Sequence, residues 1–379
     1  MSITINIFGD FVPINRGIKA VKEKIAISDG ITKIIRDADY NIINFECPVV
    51  SHQKATPIQK DGPNLKCSKE TVEYLKDVGF NMVTLANNHF KDYGETGIKD
   101  TFEACNDNGI EWVGAGLNIQ EARTPKIIEI KGKRIGIVNV CENESSIATE
   151  IEAGSNPIDE INNYYDICEL KKKTDKIIVI IHGGTEHYNL PTPRMKKRCH
   201  FYADLGVAAI VCHHTHCYSG YEVYHNVPIF YSLGNFFFDR IKNSTDLWHI
   251  GYFVRLSIET DDIDFQIAPY VQCKDNATVL LLKGSDLNEF NVNLKKLNDV
   301  LLNDDLLESY YNKWFEKRYR SYISTTMTWA NKYYKSAYRR KLLPALISGK
   351  NAILLLNYIR CQSHQDLLVK ALHKYSNNT

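Results

Sequence analysis

The sequence predicts an α/β protein built on mixed sheets, and three observations lead there. Short apolar, β-branched runs alternate with helix-period segments through about residue 235. Two of the runs, KIIEI and RIGIVNV, are joined only by Lys-Gly-Lys, which is a hairpin and so antiparallel. Past Gly234, IGYFVRLSIET and DFQIAPYVQC follow one another across an Asp-rich turn, again as antiparallel neighbours.

Taken in order, ITINIF, NIINF, MVTLA and EWVGA read as strands, then the hairpin, then KIIVIIH, VAAIVCH and PIFYSLG. Between them, SKETVEYLKDVG and GIKDTFEACNDNG read as helices stopped by Gly79 and Gly109, which take the left-handed closing conformation. RMKKRCHFYADLG is a third helix, and TVLLLKG the last strand. From about Asp286 strand patterns stop. DLNEFNVNLKKLNDVLLNDDLLESYYNKWFEKRYRSY carries leucines and aromatics at helical spacing, with Pro344 and Gly349 punctuating the remainder. The expected organisation is a body over 1–284 and a helical extension over 285–379.

Composition is ordinary for a globular chain, 44% hydrophobic and 24% charged, with a net charge of +1. That balance conceals an asymmetry: Lys313 to Lys374 holds 13 Lys and Arg against Glu316 and Asp366, leaving the rest acidic. Cations interleave with aromatics in KRYRSY and NKYYKSAYRRK. That pattern suits a packed extension with solvated cations, an acidic partner or a membrane surface, and matches no specific nucleic-acid motif. No apolar run approaches the ~20 residues of a membrane span. The amino terminus, MSITINIFGDF, lacks the regions of a signal peptide. Ten cysteines without a disulfide spacing suit a reducing compartment, so a cytoplasmic protein is expected.

The chemistry is written where strands end. Asp10 follows the first strand, Glu46 the second, and Asn87, Asn88 and His89 the third. His182, then Glu186 and His187, follow a fourth, and His213, His214 and His216 a fifth. Singly, each has a plain structural reading as a turn residue, a helix cap or a packed imidazole. Together they place carboxylate, carboxamide and imidazole donors at the ligand-binding edge of an α/β sheet. Such a donor set suits a divalent Zn, Mn or Fe ion, and two ions bridged by one carboxylate would activate water against an electrophile. If the H-x-H is extended, His214 and His216 point the same way and His213 points elsewhere. Cys212 and Cys217 flank the cluster, Cys212 as a buried strand residue. Of the cations in TPRMKKR, a solvated helix face, Arg194 is the candidate for an anionic substrate. The phenylalanines of YSLGNFFFD are expected to close the second sheet, or else Asn235 and Asp239 face a ligand.

These motifs occur in an order that resembles the CapA-type proteins of poly-γ-glutamate capsule biosynthesis, a branch of the calcineurin-like metallophosphoesterases. The likeness spans roughly residues 3–240 and rests on GD, NFECP, LANNH followed by DYGETGIKDT, GAG, HGGTEHYNLPTP, HHTH and IFYSLGNFFFD. The resemblance implies a four-layer αββα sandwich of two mixed sheets, metallophosphoesterase-like, with the site at the strand ends. It implies metal ligands at Asp10, Glu46, Asn88, His182, His214 and His216, with Glu46 bridging. His89 would serve as general acid or transition-state stabiliser and Glu186 as a base or as a partner of the ligands, with Asp10 and Glu46 also catalytic. Asn87, His187, Arg194 and Asn235 are the expected substrate contacts.

The superfamily's first motif is D-x-H, whereas here Phe11 and Val12 follow Asp10, so one or two ions are both compatible with the pattern. The residue before the H-x-H is His213 where glycine is usual. The implied function is a metal-dependent hydrolase, foremost a phosphoesterase, acting on an anionic polymer or phosphorylated substrate in capsule or cell-surface polymer synthesis. The alternatives are a metal-independent acid–base enzyme (an epimerase or γ-glutamyl amide hydrolase) and a non-catalytic polymer-binding subunit.

Overall fold

Strand β1 (Ile3–Val12) is buried over nearly its whole length, as a central strand covered on both faces must be. The computed structural model describes residues 2–51, 55–240, 246–259, 262–318, 322, 332–340, 342–344 and 346–376. After β1 come α1 (Arg16–Lys22), α2 (Asp29–Arg36), β2 (Tyr40–Phe45), α3 (Glu70–Val78), β3 (Met82–Thr84), α4 (Gly94–Asn108) and β4 (Glu111–Val113). Next are β5 (Ala115–Gly116), α5 (Ile119–Arg123), β6 (Lys126–Ile130), β7 (Lys133–Cys141), β8 (Gly154–Ser155), α6 (Glu160–Lys171), β9 (Lys176–His182) and α7 (Pro193–Asp204). Then follow β10 (Ala209–His213), β11 (Tyr221–Tyr224), β12 (Val227–Phe230), β13 (Asn235–Phe238), α8 (Asp246–His249) and β14 (Ile250–Ile258). The body closes with β15 (Ile263–Gln272), β16 (Val279–Leu281), α9 (Gly284–Leu301) and α10 (Asp304–Glu316).

Two mixed sheets carry the body. Among the described residues the larger runs β16-β15-β14-β1-β2-β3-β4, with β13 also beside β1, and the smaller runs β11-β12-β10-β9-β7-β6. β1 to β4 are mutually parallel while β14 to β16 are antiparallel. In the smaller sheet β7, β9, β10 and β12 are parallel, with β6 and β11 antiparallel at the edges.

The sheets face each other across one apolar core. Ile3, Ile5, Ile7, Ile42 and Met82 of the larger sheet meet Ile135, Ile137, Ile178, Ile180, Ala209 and Val211 of the smaller. A second core, with Phe8, Ile43, Phe45, Ile31, Val72 and Leu75, lies between the larger sheet and α2 and α3. Helices α6 and α7 pack on β9 and β10 of the smaller sheet. This is the four-layer αββα sandwich. Gly79 (φ 121°) and Gly109 (φ 60°) close α3 and α4, as their position in the sequence suggests.

Two readings of the sequence are corrected. Asn235–Phe238 pairs with β1, so the three phenylalanines fill the larger sheet's helix-side core and do not close the second sheet. TPRMKKR is no uniformly solvated face either. Lys196 is buried and donates to the Leu301 carbonyl and Asp304, both at 2.6 Å, and Arg198 is buried against Glu160 at 2.9 Å. Both long side chains bury their stems while a carbonyl or carboxylate satisfies the charge.

Contacts divide the chain into one unit of residues 1–58 and 64–308, and another of 59–63 and 309–379. Phe290 and Leu294 of α9 join the inter-sheet core, which is why α9 goes with the body and not with an extension starting at 285. The second unit holds helices Lys332–Arg339, Gly349–Arg360 and Gln362–Ser376. Part of the basic aromatic stretch read from the sequence, 319–321, 323–331 and 341, lies outside the described residues.

Candidate metal centre

Alternation along the strands explains most of the site. Ile42 points into the inter-sheet core, so Asn44 and Glu46 follow on the same face; Ile178 and Ile180 likewise bring His182 there, and Ala209 and Val211 bring His213. Asp10 is the exception. Regular alternation would put it with Phe8 on the helix side, but β1 slips register against β2 between Phe8 and Asp10. The slip turns Asp10 inward, where its Oδ1 lies 3.8 Å from His213 Nδ1 on the opposite sheet. Gly9 permits it: a Cβ there would lie 2.0 Å from the Gly234 carbonyl oxygen.

Donor atoms converge on His182 Nε2. Asn88 Oδ1 is 3.0 Å away, His214 Nδ1 3.1 Å and Glu46 Oε1 3.4 Å. Ligands held about 2.1 Å from a common ion stand about 3.0–3.4 Å apart in octahedral or tetrahedral geometry, so this cluster has metal-site dimensions. Glu46, His182 and His214 offer ligand atoms within 4.8 Å of one another, and so do Asp10, Glu46 and His216; Glu46 belongs to both. All five are buried.

Electrostatics agree with a cation at this place. Burial first, and the adjoining Glu46 carboxylate second, raise Asp10 well above the usual carboxylate range; His216 and the Asn44 hydrogen bond offset this only partly. Asp10 Oδ2 is buried and accepts no hydrogen bond from the described residues. Two crowded carboxylates facing imidazole nitrogens fit a divalent ion, whose charge would take the place of the proton that the raised Asp10 favours. Burial, then His216 and His89, push His182 well below its ordinary value, and burial pushes His213 down to about 3. Burial alone would lower His216 as well, but Glu46, Glu186 and Asp10 outweigh it and the net direction is up.

Around the cluster stand residues that hold it. Asn44 donates to Asp10 Oδ1 at 2.7 Å and lies 3.2 Å from His182 Nδ1, so its amide fixes both. Asp92 Oδ2 is 2.7 Å from His89 Nδ1 and also accepts from the Leu65 amide, fixing the imidazole ring. Glu144 Oε1 lies 4.0 Å from His214 Nε2, on the far side of that ring from His182. Trp248, donating to the Phe238 carbonyl, has its ring 5.0 Å from that of His216. None of these four was singled out from the sequence. For Asn44 the signal existed, two residues before Glu46 on one strand face; Asp92 had only its i+3 spacing from His89. Glu144 and Trp248 carried none.

The expected site residues divide accordingly. Asp10, Glu46, Asn88, His182, His214 and His216 come together, with His89 beside them; Glu186 and His187 lie further out, each side chain nearly half exposed. The His187 ring lies tilted, 6.0 Å from the rings of both His216 and Trp248. Two expected substrate contacts sit otherwise. Asn87 is fully buried, donating to the Phe45 carbonyl and accepting from the His89 amide, so it braces the loop. Asn235 Oδ1 is 2.9 Å from His216 Nδ1 and its amide reaches the His216 and Trp248 carbonyls, so it orients a histidine. Arg194 is exposed on the first turn of α7. Asp239, the other residue weighed against a ligand, is buried and paired with Arg16 at 2.7 Å.

The H-x-H geometry also differs from expectation. The strand ends at His213, which is the histidine that alternation aims at Asp10; His214 (φ 94°) and His216 (φ 58°) lie beyond it in left-handed backbone. They share a site because the turn folds them back, not because a strand repeats. Cys212 faces Cys199 (Sγ–Sγ 3.7 Å) and Cys217 faces the Thr215 carbonyl, so neither thiol turns to the cluster.

The fold and the site together define the class: a two-sheet αββα sandwich with a buried carboxylate–imidazole cluster at its strand ends. Within it, the chain belongs to the bacterial capsule synthesis protein family PGA_cap, whose model matches residues 4–240. It is 32% identical over 249 residues to the capsule biosynthesis protein CapA of Bacillus anthracis, covering 63% of this chain and 60% of that one. It is 34% identical over 214 residues to the PGA biosynthesis protein CapA of Bacillus subtilis, covering 55% and 56%. The match thus spans less than two thirds of these relatives' lengths. A crystal structure of 5'-nucleotidase from Candida albicans is distantly similar, with 13% identity, a TM-score of 0.42 and coverage of 83% of this chain and 58% of that one. Among the described residues no helix is long and apolar enough to cross a membrane.

Proposed function

We propose that the protein is a divalent-metal-dependent hydrolase of the phosphoesterase type, acting in the synthesis of a capsular or cell-surface polymer of the poly-γ-glutamate kind. The observation that carries this reading is the sharing of Glu46 between two donor sets, one with His182 and His214 and one with Asp10 and His216. Those five and Asn88 would hold one or two Mn, Fe or Zn ions, which supply Lewis acidity toward a phosphoryl oxygen. His89, its Nδ1 held by Asp92, is the residue placed to serve a leaving group as general acid. Asn44 keeps Asp10 and His182 in place, and Asn235 keeps His216. His187 and Trp248 form an aromatic rim beside His216, with Glu186 as the acidic group at the mouth. A cytoplasmic location goes with this reading, on the strength of ten cysteines without a disulfide spacing.

Elemental analysis of the purified protein beside His214→Ala tests it. One or two equivalents of Mn, Fe or Zn in the parent, lost or halved in the variant, is the expected result. A parent that takes up none of these ions after incubation with each defeats the proposal. A specific observation favours a second reading, metal-independent acid–base chemistry: burial and the adjoining Glu46 raise the Asp10 carboxyl well above the usual carboxylate range, while Val12, two residues on, packs in the helix-side core. Activity that survives chelation but falls in Glu46→Gln selects that reading.

A further inference from the structure

Residues 59–63 and 309–379 form a unit of their own, and part of its apolar surface is open. Leu342, Leu343, Leu346 and Ile347 precede the helix Gly349–Arg360, and Leu356 and Ile359 lie on it; all six are between 41% and 71% exposed. Leu356 and Ile359, three apart, share one helix face. They are not a core left unfilled. The unit's interior lies elsewhere, where Tyr322, Tyr358 and Leu367 are buried and the two tyrosine rings meet at 4.8 Å.

The charge of the unit is lopsided: 14 Lys and Arg against Asp61, Glu316 and Asp366, an excess of 14 − 3 = 11. Arg340 and Lys350 bracket the apolar run and Arg360 ends the helix, all three exposed. Open leucines bracketed by cations suit the headgroup layer of a bilayer, where aliphatic side chains enter among acyl chains and long cations reach the lipid phosphates. A protein interface is a poorer match, because its centre is depleted of charge and of lysine in particular. The helix has 12 residues, too few to span, so it would lie in the plane of the surface.

We propose that this unit binds the surface of an anionic bilayer, with residues 342–344 and 346–360 as the contact. The full-length protein, sedimented with vesicles of phosphatidylglycerol and phosphatidylcholine, is expected to pellet with them and to stay in solution with phosphatidylcholine alone. Arg340→Ala and Lys350→Ala should each weaken binding about fivefold, and 0.5 M salt (a concentration well above about 0.15 M) should weaken it further. The double substitution Leu342→Ser, Leu346→Ser should weaken it by about tenfold or more. Both leucines are exposed, so this variant is expected to keep the parent's thermal unfolding. The leucine pair separates a bilayer from a soluble acidic polymer, which needs only the cations. No pelleting with the anionic vesicles overturns the proposal, as does pelleting that the leucine substitutions leave unchanged. So does self-association without vesicles that the same pair abolishes, which would make a second copy of the chain the occupant.

Discussion

Three donor atoms lie within 3.4 Å of His182 Nε2, and at the scale of single residues the centre depends on the groups that aim them. Asn235 is one. Its carboxamide holds His216 at 2.9 Å, and Asn235→Ala should weaken the ion on the Asp10–His216 side about 10- to 100-fold, sparing the Glu46–His182–His214 set; calorimetric titration with Mn²⁺ or Zn²⁺ reads both. Asp92 is another. Asp92→Asn removes the charged partner of His89, so turnover of an aryl phosphate reporter should fall by about one to two orders of magnitude with metal content unchanged. A variant that loses metal instead would assign Asp92 to the fold alone, since it also accepts the Leu65 amide. At this scale the sequence was legible where a ligand follows an apolar strand, and illegible where a residue acts by gripping another. Asn87 and Asn235 look alike on the page, and only their hydrogen bonds reveal that each is consumed inside the protein.

At the scale of elements, the slip in β1 decides whether Asp10 reaches the site. Gly9→Ala would force a methyl group to within 2.0 Å of the Gly234 oxygen and 3.2 Å of the Phe236 nitrogen, both backbone atoms that cannot swing away. The expected cost is about 3 kcal/mol, seen as a lower urea midpoint, together with loss of metal from the Asp10 side as β1 and β13 part. An alanine variant with parental stability and metal content would show that the slip is not what places Asp10. The same logic governs the turn after β10. Its positive φ values at His214 and His216 set the two rings 6.1 Å apart through a turn, where the extended H-x-H expected from the sequence would have placed them on one strand face. Most strands, and helices α3, α4, α7, α9 and α10, were readable from periodicity and terminal glycines, whereas α1, α2 and α6 were not assigned. Nor was β13, because four residues of a parallel strand that depend on a partner more than 200 residues earlier carry no local signature.

At the scale of the whole molecule, the centre joins the two sheets: Asp10, Glu46 and Asn88 come from the larger, His182, His214 and His216 from the smaller. A ligand bound only by the folded form stabilises it, so stripping metal with a chelator should lower the unfolding temperature by about 5 °C or more, and re-adding the ion should restore it. An unchanged midpoint would mean that the two sheets are not cross-linked through a bound ion. The sequence by itself determined the α/β class, the alternation that aims Asn44, Glu46 and His182, and the set of donors available. These follow from local periodicity and from what each side chain can ligate. Only the tertiary structure decided that Asp10 turns inward, that His213 faces it, and that Asn87 and Asn235 are braces. Those outcomes depend on backbone register and on hydrogen bonds between segments far apart in the chain, and no local pattern encodes such distances.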